Sequence, residues 1–150
     1  MNYPTATVER ADLQNGPDDG LMVAVMGSAR YIQERLERVL ESVSLTPAKF
    51  QALDALVQAG EPMALSELAG SLKCVRSNIT QLADRLELDG LVQRVDDAAD
   101  RRAIRAVVTP LGIERHAAGS AAIAELQAEI ASAVSSADRH LVVRVLSGIS

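Results

Sequence analysis

The stretch LSELAGSLKCVRSNITQLADRLELDGLVQRVDDAADRRAIRAVVT, Leu65 to Thr109, decides the fold. Leu65, Leu68, Ala69 and Leu72 recur at i, i+3, i+4 and i+7, the apolar stripe of a short helix. Lys73, Cys74 and Val75 interrupt it. A second helix is expected from about Arg76 to Leu88, with Ile79, Leu82, Ala83 and Leu86 inward. Asp89 and Gly90 stop it, and Gly90 suits the left-handed position that follows a helix end. Two helices joined by so short a turn form a helix-turn-helix, whose second helix can enter a DNA major groove. Two strands follow, Leu91 to Val95 and Ala103 to Thr109. The polar loop between them, Asp96 to Arg102, carries two adjacent arginines. A helix-turn-helix backed by such a hairpin is a winged helix.

Upstream, Met1 to Asn15 has no clear period and is read as a mobile arm. Pro17, Asp18 and Asp19 are helix-start signals. A long helix is expected from about Leu21 to Val43, with a seam of Val25, Ala29, Ile32, Leu36, Val39 and Val43. That seam is long for a small domain and suits a partner subunit. Thr46 is a good N-cap, and Pro47 suits the first position of a helix that continues from Ala48 to Gln58. Its inward residues are Phe50, Leu53, Leu56 and Val57. Gly60, Glu61 and Pro62 break it, and Met63-Ala64 is expected to be a short strand closing the wing sheet.

Downstream of Pro110 an Ala-rich helix is expected to about Val134, with Leu111, Ile123, Leu126, Ile130 and Val134 as its larger apolar groups. Ser135 to Asp138 breaks and re-caps the chain. A last helix, Arg139 to Ser147, carries Leu141, Val142, Val145 and Leu146. The expected class is mainly α with a small β wing, in a single domain over 1–150. A winged helix at about 45–109 is flanked by dimerisation helices at about 20–43 and 111–148.

Composition sets bounds on this reading. Aromatics are few (Tyr3, Tyr31, Phe50, no Trp), so the core must be aliphatic. No run of about 18 apolar residues exists, so no membrane span or membrane partner is expected. The acidic N-terminus lacks an apolar signal core, and the single cysteine, Cys74, excludes an internal disulfide. A cytoplasmic protein is the simple expectation. Net charge is −5, but the acid is unevenly placed. Met1 to Leu72 holds 5 basic and 10 acidic side chains, whereas Lys73 to Arg105 holds 7 and 6. That distribution permits DNA binding without demanding it.

With Ile79, Leu82 and Leu86 inward, Ser77 and Gln81 point most nearly outward. Asn78, Thr80, Asp84 and Arg85 flank them. Gln and Asn can pair bidentately with adenine, and Ser and Thr reach bases or phosphates. Arg85 is placed to meet a phosphate or to pair with an acid. The alternative is a solvated polar face. At the wing, Arg101 and Arg102 suit a narrow, negative minor groove, the alternative being a surface salt bridge. Asp96 and Asp97 repel phosphate and must point away. Thr46, Ser66 and Arg76 lie at or near helix N-termini, where hydroxyls and amides can hold phosphate.

The ordered set Leu65-x-x-Leu-Ala-x-x-Leu72, then Ser77-Asn78-Ile79-Thr80-x-Leu82-x-Asp84-Arg85-Leu86-Glu87-x-Asp89-Gly90-Leu91-Val92, then Asp100-x-Arg102 with Val108-Thr109, resembles the MarR family of bacterial transcription factors. Val108 stands where that family's wing signature has Leu. The resemblance runs from about Asp19 onward. It implies a homodimeric repressor of double-stranded DNA, relieved by a small-molecule effector and needing no cofactor. It also makes Arg102 the wing arginine, with Asp100 orienting it. Two-fold symmetry implies a pseudo-palindromic operator with half-sites about one helical turn, ~34 Å, apart. Family effectors bind between the dimerisation helices and the winged helix. Met22, Met26, Tyr31, Phe50 and Met63 are candidates to line such a space, with core packing the favoured alternative.

Two residues depart from the family pattern. Lys73 stands where Gly is common, and Val75 where Ser or Asp caps the recognition helix, a loss of about 1 kcal/mol. Cys74, between them, reads first as a small buried hydrophobe and second as a redox-active thiol near a helix N-terminus. Family members that sense peroxide carry their cysteine early in the first long helix instead. His116 and His140 have no further ligand at metal spacing, so no metal site is expected. Glu34, Glu37 and Glu41 solvate one helical face rather than form an acid/base pair, and no enzyme motif is present. The rivals to a ligand-relieved repressor are a winged-helix protein-interaction module and a regulator switched by Cys74.

Overall fold

The computed structural model describes the backbone of residues 17–72, 76–97 and 104–148, and the side chains of these except 17–19, 76 and 77. In chain order the elements are α1 (Pro17–Glu41), α2 (Pro47–Ala59), β1 (Met63–Ala64), α3 (Leu65–Ser71), α4 (Arg76–Leu88), β2 (Val92–Asp96), β3 (Ile104–Val108), α5 (Pro110–Ser132) and α6 (Ser136–Ser147). The class is the expected one, mainly helical with one small antiparallel sheet. The chain divides into two compact units, 1–35 and 36–150.

The described part of the first unit is the N-terminal portion of α1, Pro17 to Arg35. It leaves Leu21, Met22, Val23, Met26, Tyr31 and Ile32 exposed. The helix begins four residues earlier than expected, at Pro17.

In the second unit, helix ends explain most differences from expectation. α1 stops at Glu41 rather than Val43 because Ser44 turns left-handed, with φ 60°. Ser44 N then donates to Glu41 O (2.9 Å) and Leu45 N to Leu40 O (2.9 Å), which satisfies the last carbonyls. Thr46 Oγ1 accepts from Lys49 N (3.3 Å), and Pro47 opens α2 as its fixed φ favours. Gly60, at φ 68°, closes that helix. Gly90, at φ 71°, closes α4: Gly90 N donates to Glu87 O (2.9 Å) and Leu91 N to Leu86 O (2.8 Å). Leu91 has thus spent its N–H on the helix, so β2 starts one residue later than expected, at Val92. β3 ends at Val108, one residue before the expected Thr109, and Ala103 lies outside the described residues. α6 starts at Ser136 rather than Arg139, because Ser135 caps it and accepts from Asp138 N (3.2 Å). α5 ends at Ser132, two residues short of the expected end.

The sheet order is β1-β3-β2, all antiparallel. Val92 pairs with Val108, Arg94 with Ala106 and Asp96 with Ile104; on the other edge Met63 pairs with Ala106 and Ala64 with Arg105. The two-residue β1 was anticipated as the strand that closes the wing. Beneath the sheet the core gathers Leu40, Leu45, Leu53, Leu56, Leu68, Ile79, Leu86, Leu91 and Val92 around Ala52, Ala69 and Ala106. Of the α1 residues in this unit Leu40, off the expected seam, is buried, while Leu36 and Val39, and Val43 just past the helix, are half-buried.

α5 packs in a way the large-residue pattern misses. Its inward line is Gly112, His116, Gly119, Ile123 and Leu126, at steps of four and three; Leu111 is exposed. A Cβ on Gly112 would sit 2.1 Å from Leu91 O, and one on Gly119 would sit 2.8 Å from Phe50 Cδ2. Thr109 caps this helix: its Oγ1 accepts from Gly112 N (3.0 Å) and donates to Gly90 O (2.7 Å). Because backbone opposes any side chain at 112, Gly112→Ala is expected to lower unfolding free energy by about 3 kcal/mol in urea denaturation. Gly70→Ala, with open space around it, is the control and should cost nothing.

Candidate nucleic-acid interface

Helix α4 buries Ile79, Ala83 and Leu86 and half-buries Leu82, as its spacing predicts. The opposite face exposes Asn78, Thr80, Gln81, Asp84 and Arg85. Amide and guanidinium groups on an exposed helix face are the groups that read base edges and hold phosphates. A groove of about 300 Å³ runs beside this face, lined by Ala48, Gln51, Leu72, Asn78, Gln81, Leu82 and Arg85. Gln51, from α2, thereby shares the surface. Sequence periodicity gave no sign of it, because the pairing of α2 with α4 is tertiary.

The electrostatics of this region turn on how its acids are paired. Arg94 lies on β2 across from buried Ala106 and reaches α4, where its Nη2 donates to Asp84 Oδ1. Its Nε lies 3.4 Å from Glu87 Oε2, and its backbone N–H donates to Glu87 Oε1 (3.2 Å). Asp89, just past the helix, accepts from Lys49 Nζ of α2 (2.5 Å). Asp97, just past β2, accepts from Arg105 Nε (2.6 Å), and its side chain is only 11% exposed. So Asp84, Glu87, Asp89 and Asp97 each have a cation from another element. Among the described residues no acid pairs with Arg85. Asp97 is held by Arg105, whereas Asp96 stays exposed at the end of β2.

The other candidate residues fall as follows. Thr46 is exposed and spends its oxygen as the α2 cap; Ser66 is exposed in the first turn of α3. Arg76 and Ser77 open α4, but their side chains lie outside the described residues, as do Cys74, Asp100, Arg101 and Arg102. Met22 and Met26 are exposed on the N-terminal unit. Tyr31 there accepts from Arg35 Nη1 (2.9 Å). Phe50 and Met63 pack against the core of the second unit. Phe50 stacks on His116, with ring centroids 5.3 Å apart. His116 Nε2 in turn donates to Asp54 Oδ1 (2.9 Å). A second depression, about 420 Å³, is lined by Ser44, Lys49, Asp89, Leu91, Leu111 and Arg115. None of the five candidate effector residues lines either depression.

Residues 45–104 match the family model described as MarR family. Over that stretch the chain is similar to the MarR family. Over 84 residues it is 36% identical to the uncharacterized HTH-type transcriptional regulator YsmB of Bacillus subtilis, covering 56% of this chain and 57% of YsmB. Over 92 residues it is 34% identical to the HTH-type transcriptional repressor MdtR of the same organism, covering 61% and 59%. The matches thus span under two thirds of each relative's length. A single-residue mutant of S. aureus MepR, solved bound to an oligodeoxyribonucleotide, superposes with TM-score 0.65 over 87% of this chain and 98% of that one. At 18% identity that likeness shows the fold. Among the described residues of the MarR-like chain, no helix is long and apolar enough to cross a membrane.

Arg94 is the residue that joins recognition helix to wing strand. Arg94→Met keeps the stem and removes the guanidinium, leaving Asp84 and Glu87 uncompensated. Both acids are substantially solvated, so the expected loss of stability is about 1 kcal/mol, read from the urea midpoint at unchanged slope.

Proposed function

We propose that this chain is a sequence-reading, DNA-binding transcriptional regulator. The observation that carries the reading is the pairing pattern on α4. Its acids are held by Arg94 while Asn78, Gln81 and Arg85 face outward. A solvated surface has no need of that segregation; a surface opposed to phosphate does. In this reading α4 enters the major groove, with Arg76, Ser77, Asn78, Thr80, Gln81 and Arg85 along it. Thr46 and Ser66 meet backbone, and Asp100, Arg101 and Arg102 form the wing's contact. Residues 45–109 are the reading head, and the flanking helices are for pairing.

A homodimer is supported by apolar surface on both flanking regions. α6 buries none of its residues and exposes Leu141, Val142, Val143, Val145 and Leu146. The N-terminal part of α1 exposes a further apolar set. A row of this kind left in water marks a binding surface. Repression relieved by a small-molecule effector, and a cytoplasmic location, follow the family. MdtR is a repressor. The dimer is tested by sedimentation of Val143→Glu with Leu146→Glu, which is expected to yield a folded monomer.

DNA reading is tested by selection from random duplex DNA, then salt titration of the enriched site. The expected result is a pseudo-palindrome. Gln81→Ala should relax base preference at one position per half-site by about 1–3 kcal/mol. Arg85→Ala should weaken binding evenly across sequences and lower the salt slope by about one per contact removed. No enrichment at low salt would end the reading in favour of a protein-interaction module.

A further inference from the structure

Arg105 sits on the central strand of the wing sheet, in register with Ala64 on one side and Val95 on the other. Directly paired residues project to the same face, so Arg105 lies opposite the face of buried Ala106. A guanidinium on the outer face of a wing would ordinarily be counted as a DNA contact. Here both its ends are occupied. Nη1 donates to Pro62 O (2.9 Å), in the turn before β1. Nε donates to Asp97 Oδ2 (2.6 Å), the first residue beyond β2. From the central strand the guanidinium thus bridges the turn before β1 and the residue after β2. The hydrogen bond to Asp97, then the charge of Asp97, hold the guanidinium above its ordinary pKa, with Glu67 and Glu61 adding to the effect.

Asp97 directly follows β2. Fixing its carboxylate fixes the direction of departure. The same bond cancels a negative charge that would otherwise face phosphate. We propose that Arg105 is a positioning residue of the wing, clamping Asp97 and Pro62 across the sheet so that the chain is held in place where it leaves β2, and that it does not itself contact DNA. This rests on the DNA-binding reading for its target, but the clamp is testable without DNA.

The first test uses the full chain free in solution. Backbone relaxation of the amides at 97–103 is measured for wild type, Arg105→Lys and Asp97→Ala. Lys keeps the charge but cannot span both acceptors. Both variants are expected to lower the order parameters of these amides while those of α4 and α5 stay unchanged. Unchanged values at 97–103 in both variants overturn the clamp, whether or not the protein binds DNA.

The second test uses the selected duplex, so a wild-type protein that binds none counts against the DNA reading and leaves the first test to decide the clamp. Arg105→Ala is expected to bind about tenfold more weakly, the scale of a lost charge-assisted bond, with an unchanged salt slope. The cost of Arg102→Ala should shrink in that background, because a misplaced wing has little left to lose. Asp97→Ala separates the two roles by sign. Pure electrostatics would make it bind more tightly, since an acid is removed, whereas the clamp makes it bind more weakly. A tighter Asp97→Ala, or an Arg105→Ala salt slope smaller by about one, overturns the proposal.

Discussion

Much of the reading head depends on one close backbone approach, where Gly112 lies against Leu91 O. There the end of α4, the end of β3 and the start of α5 meet, with the Val108 side chain alongside. Leu91 O accepts from Thr109 N (3.0 Å), and the Thr109 hydroxyl donates to Gly90 O. The approach needs two glycines for different reasons. Gly90 must take φ 71° so that the chain reverses out of α4, and Gly112 must lack a Cβ so that α5 can start where it does. Interiors pack too densely for a substituted helix to find slack elsewhere. Helix α4 is therefore placed by the start of α5, beyond the wing strands, as much as by its own apolar stripe.

Around that junction, charge is distributed by the same economy of elements. An acidic chain binds a polyanion only if its acids are kept away or neutralised where it matters. Lys49, Arg94 and Arg105 come from α2, β2 and β3, and each is engaged with an acid at the edge of the reading surface. The seven cations between Lys73 and Arg105 are thus not seven contacts. Arg94 and Arg105 are engaged with acids, and among the described side chains of this stretch Arg85 is the cation left on the exposed face of α4. The charge that does the reading is small, which makes placement of the helix and wing weigh more than total charge.

Sequence read well where the cause is local. Helix stripes, the Thr46 cap, the left-handed Gly90 and even the two-residue β1 follow from spacing and backbone chemistry near at hand. It read poorly where the cause is distant. Lys49 and Asp89 are forty residues apart, Arg105 and Pro62 forty-three, His116 and Asp54 sixty-two. No periodicity encodes such pairs. The inner line of α5 was missed because Gly112, His116 and Gly119 are not the residues a hydrophobic pattern seeks. The stop at Ser44 to Pro47 is legible in the sequence, but α1 ends two residues before Val43 because the left-handed turn at Ser44 is held by bonds back to Glu41 and Leu40. The residues at 73–75 and 98–103, which include Cys74 and the wing arginines, lie outside the described residues, so those expectations stand as proposals.

The line on α5 also constrains how a signal can reach α4. Gly112 touches the end of the recognition helix, while His116 and Gly119 touch Phe50 of α2 within the next two turns. α2 is itself tied to that end through Lys49 and Asp89. A helix packed glycine-to-backbone at one point and glycine-to-ring at another cannot slide by a fraction of a residue without opening one contact or closing the other into a clash. Displacement of α5 must then carry α2 and the α4 terminus with it or break His116 from Asp54. In either case the change is felt at the Lys49–Asp89 tie. A ligand bound along α5 would have this short route to α4 without touching that helix itself.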